Sequence, residues 1–66
     1  MPKLPPISGE KLVKLLVKDG FVYISQKGSH VKLRKGKLIV IVPNHKEIRK
    51  GTLSNILKLT NLDLDK

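Results

Sequence analysis

Leu12, Leu15 and Leu16 recur at the i, i+3, i+4 spacing that gathers side chains on one stripe of a helix, with Val13 widening the stripe and Lys11, Lys14 and Lys18 on its flanks. The pattern predicts a helix over residues 9–19. Ser8 stands where an N-cap is needed, and Glu10 brings negative charge to the positive end of the helix dipole. Gly20 follows as a left-handed stop, with Phe21 folding back on the last turn. Ahead of the helix, Pro2, Pro5 and Pro6 keep the N-terminal arm extended.

After Gly20 the preference changes. Residues 21–25, 31–33 and 38–42 are rich in β-branched and aromatic side chains, and Gly28 and Gly36 lie in the short polar gaps between them. Glycine in two such gaps predicts two consecutive hairpins and hence an antiparallel meander. In the middle strand, alternation puts Val31 and Leu33 on one face and His30, Lys32 and Arg34 on the other. The apolar pair therefore faces the helices, and His30 looks outward in a row of cations.

Pro43 cannot continue a ladder and closes the third strand, residues 44–50 read as a polar connection, and Leu53, Ile56 and Leu57 restore helical spacing. Thr52 or a neighbour is expected to cap this second helix, and Asn61 to end it in the left-handed conformation before the acidic tail of Asp63 and Asp65. The order predicts an α+β fold, α-β-β-β-α, in which two helices pack on one face of a three-stranded antiparallel sheet and leave the other face wet.

Length and composition narrow the function. With 66 residues the chain is expected to form one domain, residues 1–66, whose core is a thin two-layer affair with no room for a buried cofactor cleft. It has no cysteine, which excludes a disulfide framework and thiolate metal sites. The longest apolar run, residues 38–42, is far short of the roughly 20 residues of a spanning helix, and the N-terminus lacks the apolar stretch of a secretory signal, so a cytoplasmic location is the expectation. The formal net charge of +9 draws the chain toward polyanions, nucleic acid first and an anionic membrane or acidic protein next. Phe21 and Tyr23 are its only aromatics, so phosphate contact should dominate over a row of stacked bases.

Lys27, Lys32, Arg34, Lys35 and Lys37 fall in one stretch without an acidic residue, a phosphate-gripping surface or, on the plainer reading, a solubilising face. His30 carries the one side chain type whose ordinary pKa, about 6.5, allows proton transfer near neutrality. His45, just past Pro43, offers a second acid-base group, a phosphate contact or a cap for the following turn, and capping is the expectation. Two histidines without a neighbouring acidic cluster do not make a zinc site, so no catalytic metal is expected. Lys50-Gly51-Thr52 opens a helix and suits either an anion or a cap; without the upstream glycine it is no P-loop. Ser29 has no base-plus-orienter partner set and serves as a turn residue or a positioning contact to RNA.

Gly20-Phe21, Gln26-Lys27-Gly28-Ser29-His30, Val42-Pro43-Asn44-His45, Lys50-Gly51-Thr52-Leu53 and Ile56-Leu57-Lys58 follow one another in an order and spacing that resembles the HicA family of toxin mRNA interferases across nearly the whole chain. The resemblance implies a fold like the double-stranded RNA-binding domain, cleavage of messenger RNA without a cofactor, arrest of translation, and neutralisation by a HicB-like antitoxin. It maps the catalytic histidine onto His30; beside that, the charges of Lys27, Lys32 and Arg34 are expected to offset the charge of a phosphorane. A non-catalytic RNA-binding module is the alternative, and an adaptor for an acidic protein a third reading.

Overall fold

The computed structural model describes residues 6–62, which fold as α1 (Gly9–Lys18), β1 (Val22–Lys27), β2 (His30–Lys35), β3 (Leu38–Pro43) and α2 (Lys50–Thr60). This is the expected α-β-β-β-α order. The strands form one antiparallel sheet in the order β1-β2-β3. The arm through Pro2 and Pro5 and the acidic tail with Asp63 and Asp65 lie outside the described residues.

Helix α1 is framed by its caps. Ser8 Oγ accepts from the Lys11 amide at 3.1 Å, satisfying one of the orphan N–H groups of the first turn. At the other end the Gly20 amide donates to the Val17 carbonyl and the Phe21 amide to the Leu16 carbonyl, the double bond pattern of a Schellman stop, with Gly20 at φ 114°. Phe21 is thereby folded under the helix and buried; it precedes β1 instead of opening it.

Both hairpins turn on two residues, Gly28-Ser29 and Gly36-Lys37, with glycine first and at φ 60° and 61°. Positive φ at that position is what a II′-type hairpin needs to match the strand twist. On the helix side of the sheet, Val31 and Leu33 from β2 and Val40 and Val42 from β3 meet Leu12 and Leu16 of α1 and Leu53 and Ile56 of α2. Complete burial of a Leu or Val side chain is worth about 1.5–3 kcal/mol, so this layer is the main source of stability. Both helices lie over β3, and β1, at the edge, has all six residues exposed.

Two expectations need revision. The N-cap of α2 is Arg49, which makes no side-chain capping bond, and Thr52 lies inside the first turn. The connection before α2 is not polar throughout, because Ile48 is 3% exposed and anchors it in the core. In α2, Thr60 is more deeply buried than Leu57, its hydroxyl donating to the Ile56 carbonyl at 2.7 Å. Asn61 does end the helix in the left-handed region, at φ 56°.

Candidate functional site

Residue alternation in β2 sends His30, Lys32 and Arg34 to the face away from the helices, and all three are exposed. Lys27 lies directly opposite His30 on β1, and Pro43 opposite it on β3. Directly paired residues have Cβ atoms about 4.5–5.5 Å apart, so Lys27 and His30 project side by side from the same face of the sheet. Ile41 and Ile39 pair with Lys32 and Arg34, which makes the outer face a row of cations flanked by exposed aliphatic side chains.

His45 reaches the same place by a different route. The Asn44 amide donates to the Ser29 carbonyl at 2.6 Å, tying the segment after β3 to the turn that carries His30. The His45 amide bonds the Pro43 carbonyl at 2.9 Å, its carbonyl accepts from the Gly9 amide at 2.8 Å, and Ile48 donates to the Ile7 carbonyl at 2.9 Å. The backbone from 43 to 48 is thus held at both ends. Gly9 is required there, since a Cβ would overlap the Pro43 carbonyl oxygen and stand 2.6 Å from Asn44 Cα.

The result is an open cavity of about 400 Å³ lined by His30, Ile41, Pro43, His45, Arg49 and Thr52. Two imidazoles from separate elements share it with a guanidinium at the start of α2. That helix has no acidic residue in its first turn, so its unpaired amides and Arg49 together favour an anion. Among the described residues the ion pairs are Glu10 with Lys14 at 3.6 Å and Asp19 with Lys35 at 3.3 Å, which leaves Lys27, Lys32, Arg34 and Arg49 unneutralised by carboxylates. No group of three or more metal-ligating side chains converges among the described residues.

The other expected contacts distribute unevenly. Ser29 contributes its carbonyl to the Asn44 tie, a positioning role. Lys35 alternates to the helix side, where its Nζ donates to the Asp19 carbonyl at 3.0 Å and lies 5.7 Å from the Phe21 ring centroid. It caps α1 and is not brought to His30. Lys37 occupies the turn at the far end of the β2–β3 hairpin. Lys50 opens α2, yet the cavity is lined by its neighbours Arg49 and Thr52. Arg49 was not singled out by the sequence pattern. Its signal was present, however, as a cation at a helix N-terminus, where the dipole disfavours it.

A family description, the HicA toxin of bacterial toxin-antitoxin systems, matches residues 9–62. The chain belongs to the HicA toxin family. Membership makes it the toxin of a toxin-antitoxin pair and implies an antitoxin partner. The matched span of this HicA chain runs from the glycine under the His45 loop to the end of α2, so it takes in every residue of the cavity. Searches of curated proteins and of solved structures return no match. No helix among the described residues of the HicA chain is long and apolar enough to cross a membrane.

Proposed function

We propose that this toxin is an endoribonuclease that cleaves messenger RNA in the cytoplasm at the His30 cavity, with no metal in the reaction. The observation that carries the reading is the meeting of His30, His45 and Arg49 in one solvent-open cavity, beside Lys27 and within a face of unpaired cations. His30 takes the proton from a ribose 2′-hydroxyl, and the 2′-oxygen attacks the adjacent phosphorus. The bond to the 5′-oxygen breaks, leaving a 2′,3′-cyclic phosphate and a 5′-hydroxyl. His45 is assigned the proton delivered to that leaving oxygen. Lys27, Lys32, Arg34 and Arg49 offset the charge that builds on the phosphorane. Two imidazoles with no convergent carboxylate suit proton transfer better than metal ligation. A HicB-like antitoxin that is acidic where it covers this face would block both the cavity and the approach to it.

The test is a messenger transcript incubated with the toxin in excess chelator. Cleavage is expected, and His30→Ala should lose it by about 10²–10⁴-fold while retaining most of the RNA affinity. A wild-type rate in His30→Ala, or RNA that is shifted on a gel but intact with the parent, removes the assignment. A pH–rate profile with two inflections, one of them lost in His45→Ala, supports the second role; an unchanged profile removes His45 from it.

A further inference from the structure

Behind the wall that carries the two histidines lies a second cavity. It is a groove of about 200 Å³ between α1 and β1, lined by Glu10, Lys14, Tyr23, Gln26, Val31 and Asn44 among others. The two cavities are back to back: His30 opens on one and Val31 on the other, while Asn44 faces the groove between Pro43 and His45, which face the His30 cavity. Residues 30–31 and 43–45 form the wall common to both.

The composition of the groove follows from an irregularity in β1. Tyr23 pairs with Leu33 and Ser25 with Lys32, so two steps along β1 match one along β2, and Ile24 is the extra residue of a bulge. In a regular strand Tyr23 and Gln26, three apart, would point to opposite faces. The bulge returns both to the helix side, in register with Leu33 and Val31. Because the helices lie mainly over β3, α1 covers them only in part, and Tyr23 is 49% exposed. Its hydroxyl donates to Gln26 Oε1 at 3.4 Å, and Gln26 Nε2 donates to the Gly28 carbonyl at 3.1 Å. The amide is thus oriented by two neighbours and still has one N–H and one lone pair to offer.

An aromatic ring and two side-chain amides, with the Glu10–Lys14 ion pair at the α1 side, around a space below the roughly 300–1,000 Å³ of drug-sized sites describe a seat for one flat heterocycle. Amides of Asn and Gln match the donor and acceptor edge of a base, and aromatic faces stack it. We propose that this groove takes one nucleobase of the RNA strand whose phosphate occupies the His30 cavity, with Tyr23 as stacking platform and Gln26 and Asn44 reading the base edge. The assignment rests on the ribonuclease reading for its strand, and it names the residues that set which linkage is cut.

Tyr23 is the only tyrosine, and the chain has no tryptophan, so its intrinsic emission reports this one ring. Binding is measured with the cleavage-silent His30→Ala form and short single-stranded RNAs, by anisotropy and by tyrosine emission corrected for absorbance. The expected result is quenching on binding, lost with an oligonucleotide that is abasic at the seated position. Stacking of one base supports about a tenfold loss of affinity in Tyr23→Ala, with Tyr23→Phe close to the parent because the ring remains. Gln26→Leu should flatten the preference among the four bases at that position. An abasic RNA that binds as tightly as its parent, or emission unchanged at saturation, overturns the proposal even if the parent cleaves RNA. Base-dependent quenching in a chain that never cleaves RNA would uphold it and overturn the ribonuclease reading.

Discussion

Arg49 occupies a position that its own helix does not want filled by a cation. It stands at the N-cap of α2, makes no capping bond, and adds charge where the dipole is already positive. The local loss is on the order of 0.3–1 kcal/mol. Its carbonyl accepts from Leu53, so the backbone role survives any side chain, and Arg49 lines the cavity. Arg49→Ser should therefore act in opposite directions on stability and function. A serine cap gains about 1 kcal/mol, which for a domain of this size raises Tm by about 4–8 °C, while RNA affinity and cleavage fall. Thermal unfolding and a cleavage assay on the same preparation check both signs, and a stable variant with undiminished cleavage would remove Arg49 from the site. Lys35 makes the contrasting case. It belongs to the same basic stretch as Lys32, but alternation turns it to the helix side, where it is spent on Asp19 and Phe21.

At the scale of elements, α1 acts on the site through one glycine. Gly9 lets the helix start lie directly on the backbone of 43–45, and its amide holds the His45 carbonyl. Gly→Ala within a helix normally gains about 0.5–1 kcal/mol. In Gly9→Ala the new Cβ has nowhere to go but into Pro43 and Asn44, so a loss of about 1–3 kcal/mol is expected, with cleavage reduced further because the His45 segment must move. Gly51→Ala is the control, since that glycine lies in α2 with open space around it and should show the ordinary gain. Equal and positive shifts for the two variants would show that the helix does not hold the loop. What the sequence made legible divides along the same line. The α1 stripe, the Gly20 stop, both hairpin glycines, the outward face of His30 and the Asn61 terminus depend on residues close together in the chain, and local pattern reaches them. The Ile24 bulge, the Gly9 contact and the burial of Ile48 depend on partners far along the chain. Periodicity carries no record of those, and it set Thr52 where Arg49 stands.

For the whole molecule the question is whether RNA is held by a face or by a net charge of +9. The thinnest dimension of the fold is 17 Å, about two Debye lengths at physiological salt, so cations on the helix side are largely screened from a strand on the outer sheet face. If Lys27, Lys32, Arg34 and Arg49 each meet one phosphate, four counterions leave a single strand. The logarithm of affinity should then fall with the logarithm of salt concentration at a slope of about −3, taking roughly 0.7 per contact. Arg34→Ala is expected to reduce that slope by about 0.7, and Lys58→Gln, an exposed change in the last turn of α2, to leave it where it was although both remove one positive charge. Titrations of RNA binding across a salt series read the two slopes directly. Equal reductions would mean that the strand responds to total charge and has no fixed path over the sheet, and the four-cation track through His30 would have to be given up.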